Sequence, residues 1–248
     1  MDFSTVFGII AFGVLIAAGI ATKQLTSSLV NMHGFLVVLG GCCGAMLVNT
    51  PMRYLKKAVT ELKLMLKDDG ADSMRKVIPV VTELAEQCRI KGFSALKDAD
   101  PAVANGFLSR TALAALEYND YNFVKQVMEQ EVNQTSDESN EVANVYRTMG
   151  LLFPMFGLLG TLIGIIGVLK DLANPESVGP AMGVAITSAF YGIILANVFC
   201  VPIAGKIRAR TWMEVKVKSM ILDGILEIMK GSIPIVVERR MQSYVIRE

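Results

Sequence analysis

Apolar positions along this chain gather into four blocks that contain no Asp, Glu, Lys or Arg: residues 3–22, 24–52, 148–169 and 177–205. They are 20, 29, 22 and 29 residues long. A helix needs about 20 mostly apolar residues to cross a bilayer core, so each block predicts a transmembrane helix. Only Asp2 precedes the first block, and it lacks the basic start of a cleaved signal peptide despite the small residues Ala17, Ala18 and Ala21.

Between the second and third blocks the periodicity is that of amphipathic helices. Leu55, Val59, Leu62 and Leu66 recur every three or four residues, which predicts that the second span continues inward as a helix until Asp68-Asp69-Gly70. Ser73 is a candidate cap for the next helix, with Val77, Val81, Leu84 and Cys88 on one face and Pro79 bending it or delaying its start. Lys91-Gly92 should stop that helix. Asp100-Pro101 reads as an N-cap followed by proline at the first helical position, opening a helix through Leu108, Leu113 and Leu116. A fourth piece, near 119–132, carries Phe123, Val127 and Val132. The polar stretch from Asn133 to Asn140 then leads into the third span.

After the fourth block, Val215, Met220, Leu222 and Ile225 predict a helix to about Lys230, ended by Gly231 and Pro234. The expected fold class is therefore all-α: four transmembrane helices with a cytoplasmic helical bundle. The expected organisation is spans one and two in 1–50, a cytoplasmic helical domain in 51–147, spans three and four in 148–205, and a cytoplasmic helix and tail in 206–248.

Composition sharpens this picture. The 248 residues are 52% hydrophobic, mean hydropathy is +0.46 and the formal net charge is +1. Disorder, a collagen-like repeat and a disulfide-rich secreted module are excluded, and near-neutrality argues against nucleic acid as a partner. Arg53, Lys56 and Lys57 follow the second span, Arg147 precedes the third, and Lys206, Arg208 and Arg210 follow the fourth. The other side has only Lys23 and Lys170. This bias places both termini and segment 51–147 in the cytoplasm, with short outer loops near 23–28 and 170–178. Cys42, Cys43, Cys88 and Cys200 have no metal-ligand spacing with the single histidine, His33, and read as small packing residues. No nucleotide-binding loop, metal cluster or catalytic triad stands out, so an enzyme is not expected.

The spans are informative for what they lack. Ion carriers place a titratable group in the membrane despite its cost, and no span here has a carboxylate, lysine or arginine. Either the chain is structural or a partner brings the acid. Gly157, Gly160, Gly164 and Gly167 share one face of the third span, and Ala185, Ala189, Gly192 and Ala196 share one face of the fourth. Such stripes let helix backbones approach closely. Two readings stand side by side: packing within the chain, or a smooth wall around an inserted partner helix. Thr161 sits among the glycines and is a candidate for lining a pathway. Thr187, Ser188 and Tyr191 carry hydroxyls in the fourth span, where a bond to the helix's own backbone is the plain alternative. Pro154 and Pro202 lie inside their spans and mark bends, static or moving, while Pro180 fits a first turn.

The stretch Phe153-Pro154-Met155-Phe156-Gly157-Leu158-Leu159-Gly160-Thr161-Leu162-Ile163-Gly164 resembles the third span of the flagellar motor stator A-subunit, the MotA/PomA family within the MotA/TolQ/ExbB proton channel superfamily. So do Val178 to Ala185, Tyr191-Gly192 and Pro202-Ile203-Ala204 in the fourth span, Arg89 to Leu96 with Lys91-Gly92-Phe93, and Ile221 to Leu226. The resemblance covers nearly the whole chain, and the three-span layout of the TolQ/ExbB relatives matches less well.

What the resemblance implies is concrete. A homopentamer is expected around a dimer of single-span B-subunits of the MotB/PomB type, which anchor to peptidoglycan and carry the membrane aspartate. Inward ion flow through that acid would turn the A ring and deliver torque to the rotor switch protein FliG, in a multi-pass protein of the bacterial inner membrane in contact with its lipid. By the same resemblance Pro154 and Thr161 line the B-helix interface, Pro202 is a second functional proline and Arg89 faces the rotor, with Lys91 beside it. Gly157, Gly160, Gly164, Thr187, Ser188, Ala189 and Tyr191 complete the candidate pathway and interface.

Two departures from the family pattern bear on mechanism. A rotor-facing glutamate of the family aligns with Lys97, a reversed charge, with Asp98 and Asp100 close by as substitutes. Sodium-type members carry threonine where this chain has Ala189, preceded by Ser188. A hard cation loses an oxygen ligand there, so transport of H+ is favoured over Na+, and no other cofactor is expected. The alternative function is a TolQ/ExbB-like ion-driven energiser of outer-membrane transport or gliding.

Overall fold

The computed structural model describes residues 3–21, 31–64, 71–170 and 175–245. Nine α-helices follow one another among them: α1 (Phe3–Ala21), α2 (Met32–Asn49), α3 (Met52–Leu64), α4 (Ala71–Lys91), α5 (Phe107–Tyr118), α6 (Tyr121–Lys170), α7 (Pro175–Ile194), α8 (Val201–Met229) and α9 (Pro234–Gln242). Two short 3-10 turns, Phe93–Asp98 and Val103–Gly106, precede α5, and a π-helical segment, Leu195–Cys200, joins α7 to α8. Helix α2, helix α6 and the run from α7 into α8 each hold a stretch long and apolar enough to cross a membrane. The first apolar block forms the 19-residue α1, with a shorter apolar stretch at Ile10–Gly19. The outer loop expected near 23–28 and the break at Asp68-Asp69-Gly70 lie outside the described residues.

The chain forms two packed units, residues 1–68 with 141–207 and residues 69–140 with 208–248. In the second unit the central segment and the tail build one core. Val77, Val81, Leu84 and Cys88 are all buried on α4, as their spacing required. They join Phe107, Leu108 and Ala112 of α5, Val124, Met128 and Val132 of α6, Met220, Ile221, Ile225 and Leu226 of α8, and Val237 and Met241 of α9. Burying each large apolar side chain contributes roughly 1.5–3 kcal/mol.

Several expectations about element ends are corrected. Helix α2 does not run on into α3: it stops at Asn49, Thr50 is extended and its N–H bonds back to Met46 at 2.9 Å, and Pro51 has no N–H to continue the ladder. Helix α4 starts at Ala71, two residues before Ser73. Pro79 lies inside α4, on its exposed side. Asp100 caps a turn and not a long helix: its Oδ1 accepts from the Ala102 N–H at 2.8 Å. The helix begins only at Phe107, after Ala104, Asn105 and Gly106 turn the chain with φ of 50°, 56° and 82°.

Helix α6 opens on a side-chain cap, Asp120 Oδ1 accepting from the N–H groups of Asn122 at 2.8 Å and Phe123 at 3.0 Å. From there it runs unbroken for 50 residues, so the polar stretch Asn133–Asn140 is helix and no linker. The burial register near its start is shifted by one residue: Val124 and Met128 are buried, whereas Phe123 and Val127 are exposed. The tail adds a helix that was not expected. Gly231, at φ 76°, ends α8, but Pro234 is the first residue of α9 rather than a terminator.

The α8–α9 corner is fixed by charge. Tyr244 donates to Asp223 Oδ2 at 2.8 Å, and the Arg240 guanidinium reaches the same oxygen at 3.1 Å. Burial, then the bond to Asp223, push the Tyr244 phenol up to about 12. A raised pKa means that the protonated phenol is the folded state's preference. The contribution is whole below the ordinary phenol value near 10 and drains away as pH climbs through about 12. Spectroscopic titration of the phenols should therefore show Tyr244 ionising late, and Tyr244→Phe should abolish that late step. A Tyr244→Phe protein with an unchanged titration curve would count against the assignment.

Candidate functional site

The site is built where α2, α6 and α7 meet inside the first unit. Glycine decides how closely they come. A Cβ added at Gly164 would lie 2.7 Å from both the Cβ and the backbone nitrogen of Ala185 and 2.8 Å from the Ala181 carbonyl. One at Gly192 would lie 2.6 Å from the Phe153 carbonyl. At Gly157 it would touch the Ser188 carbonyl at 3.0 Å, and at Gly160 it would collide with the Ser188 side chain. The two small-residue stripes thus face each other, and α6 and α7 lie backbone to backbone. Of the two readings left open by the spacing, packing within the chain is the one observed for Gly157, Gly160 and Gly164. They do not form an open wall, since α7 already covers them.

Helix α2 closes one side of this pair. A Cβ at Gly34 would lie 2.8 Å from Thr187 Oγ1 and 2.9 Å from Ser188 Oγ, and Gly41 sits against the Phe156 ring. Thr187 and Ser188 are buried, and their hydroxyls donate to the helix's own carbonyls, Gly183 and Val184, each at 2.7 Å. Both hydroxyls thus take the bond to the helix's own backbone, the plain alternative offered by the sequence. Tyr191 is likewise committed: its hydroxyl oxygen accepts the Asn31 N–H at 3.0 Å, and its ring meets Phe35 edge-on at 5.8 Å. Asn31 also caps α2 through Oδ1 and the Gly34 N–H. Asn31 and Phe35 were missed in the sequence because nothing in their spacing ties them to residue 191.

The other side of the pair, away from α2, is open. Helical spacing brings Pro154, Leu158, Thr161 and Ile165 together on α6, and Met182, Ile186, Ala189 and Ile193 together on α7. Pro154, Thr161 and Ala189 are half-buried, while Leu158, Ile165, Met182, Ile186 and Ile193 are exposed. Thr161 is the hydroxyl on this flank of α6, donating to the Leu158 carbonyl at 2.6 Å. Its oxygen keeps acceptor capacity toward the open side. Pro154 and Thr161, seven residues apart, are therefore the sequence candidates that stand together on this flank of α6, while Ala189 sits at the edge of the α6–α7 contact, its Cα 3.4 Å from where a Cβ on Gly157 would lie.

Pro202 is exposed and lies two residues past the end of the π-helical segment. A proline ring strikes the carbonyl four residues back, and the wider π turn makes room for it. Pro180 is the sixth residue of α7, one turn deeper than expected. The remaining candidates lie in the second unit. Arg89 and Lys91 end α4, and Lys97, Asp98 and Asp100 follow on the next turn, all exposed. Ile90 and Phe93 are exposed among them. No group of three or more His, Cys, Asp or Glu able to hold a metal occurs among the described residues.

A model of the MotA/TolQ/ExbB proton channel family matches residues 99–220. The chain is 32% identical over 246 residues to motility protein A of Aquifex aeolicus, covering 96% of this chain and 94% of that protein. This chain belongs to the MotA/PomA family. It is also 27% identical over 246 residues to chemotaxis protein PomA of Vibrio alginolyticus, covering 98% and 95%. Among solved structures, the flagellar MotAB stator complex of Bacillus subtilis matches with a TM-score of 0.88 at 26% identity, over 97% of this chain and 95% of that one. The family comprises membrane proteins that act as ion-channel stator subunits, not enzymes.

Packing of α6 on α7 has a direct test. Gly164→Leu should destabilise the detergent-purified chain by about 1–3 kcal/mol, because backbone atoms and not flexible side chains oppose it. Gly44→Leu, where a Cβ meets nothing within 4 Å, should change the melting temperature little. Equal losses at the two positions would contradict the close approach.

Proposed function

We propose that this chain is the A-subunit of a flagellar stator, coupling inward ion flow across the inner membrane to torque on the rotor. The observation that carries this reading is the open, carboxylate-free face of α6 and α7 on which Thr161 supplies an oxygen. A pathway wall without its own acid needs a partner helix to bring one. The MotAB complex, to which the fold is so close, supplies the pattern: a B-subunit of the MotB type. On this reading four spans, α1 included, leave both termini and the second unit in the cytoplasm. Five copies surround two B-subunit helices. Pro154, Thr161 and Ala189 face those helices, and Pro202 with its π turn gives α7–α8 a place to bend.

Ala189 favours protons. It carries no hydroxyl, and the Ser188 oxygen cannot stand in, being buried and bonded to Val184. A proton needs only the partner's carboxylate, whereas sodium needs several fixed oxygens. Arg89, Lys91, Lys97, Asp98 and Asp100 present exposed charge suited to meshing with the rotor protein FliG, with Asp98 and Asp100 supplying the negative charge that Lys97 reverses.

Deleting the chain should leave cells with filaments that do not turn, and normal swimming in a strain without a duplicate stator would rule the reading out. Swimming speed at a fixed proton gradient should stay flat as sodium is varied. A saturating rise with sodium would transfer the assignment to that ion. Thr161→Val should slow rotation while the protein still reaches the motor.

A further inference from the structure

We propose that the π-helical segment before Pro202 forms a second polar station for the transported cation, with the backbone and side-chain oxygens of Asn197 as its ligands. This rests on the stator reading above and extends its pathway inward. Asn197 falls inside the uncharged block 177–205 and is exposed. Just past the end of α7, it follows the row Met182, Ile186, Ala189, Ile193 at spacings of four, three, four and four residues. It lies about 12 Å inward of Ala189 and about 13 Å short of Lys206 at 1.5 Å per residue.

Its backbone carbonyl loses its ordinary helical donor. The Val201 N–H, which an α-helix would give to the Asn197 carbonyl, goes to the Ala196 carbonyl instead. The next residue, Pro202, has no N–H to give. The side-chain Nδ2 donates to the Ile193 carbonyl at 3.0 Å. That bond fixes the amide and leaves Oδ1 as an acceptor. Facing hydrocarbon, an unpaired amide oxygen costs roughly 2–7 kcal/mol, and irregular backbone at membrane depth is tolerated where it lines a watered or protein-filled cavity. Two neutral oxygens on one residue, on the face that carries Thr161, suit a hydrated hydronium or sodium ion. Carbonyl-type oxygens replace part of a hydration shell without trapping the ion as a carboxylate would. A released ion would pause here between the partner's acid and the basic cytoplasmic end of the span.

The test uses the full complex with its B-subunit, expressed with the plug removed, and reads cytoplasmic acidification after an acid pulse and sodium uptake after a sodium pulse. The parent complex should leak. Asn197→Leu should lower the flux about tenfold, the factor expected for one lost hydrogen-bond-sized interaction. Asn197→Ser, which keeps a side-chain oxygen, should restore most of it. The pulse that produces the flux identifies the ion. Leucine flux equal to the parent's overturns the proposal, as does an equal loss with leucine and serine at equal membrane amounts, which would mark a packing role. A parent complex that never leaks would instead fail the stator reading itself.

Discussion

Everything else in the membrane half hangs on how near α6 and α7 come to each other. With hydrocarbon on all sides, apolar helices gain little from hydrophobic burial against one another, and association relies on van der Waals contact. Glycine and alanine make that contact possible by removing the side chains that would hold the backbones apart. Gly157, Gly160 and Gly164 accept Ser188, Ala185 and the α7 backbone at distances that a Cβ would forbid. With α6 and α7 this close, the remaining faces of the pair are set. One takes α2, with Gly34 and Gly41 continuing the same device. The other is left for something outside the chain.

This division of faces accounts for the fate of the hydroxyls. A serine or threonine in a membrane helix has its own i−4 carbonyl always within reach. Thr187 and Ser188 take that bond in the crowded corner beside α2. Thr161 bonds one residue nearer, to the i−3 carbonyl of Leu158, and stands on the open flank where its oxygen is usable. The chemistry of the three side chains is nearly the same, and position alone separates them.

What was legible in the sequence follows from the strength of the local signal. Charge-free blocks gave the apolar helices, and the four-residue and three-residue spacings of Val77, Val81, Leu84 and Cys88 gave the buried face of α4. The Lys91-Gly92 stop was readable because glycine alone enters φ 76° without strain. Less visible was anything that depends on a distant neighbour. The polar run Asn133–Asn140 carries no apolar stripe, so nothing local shows that helices at both its ends would carry it along. Val124 and Phe123 are equally apolar, and only the packing against α5 and α8 decides which turns inward. The stripes of small residues were visible, but spacing does not say which helix they receive.

Asn197 belongs to a further class, in which the signal was present and its meaning was not. A polar residue five places before a proline inside an apolar block hints at a broken ladder. The hint becomes specific only when the Val201 N–H is seen to skip to Ala196. Proline then has two effects at once. It removes one donor, and beside it the π turn sends the Val201 N–H to Ala196, so that the Asn197 carbonyl loses both of its usual partners. Bending and coordination are therefore linked at one place: a helix that pivots about this π turn must move the Asn197 oxygens with it. Under the stator function proposed above, a joint whose oxygens also met the ion would give a direct physical route from transit to rotation, because occupancy of those oxygens and the angle of the joint would bias the same local geometry.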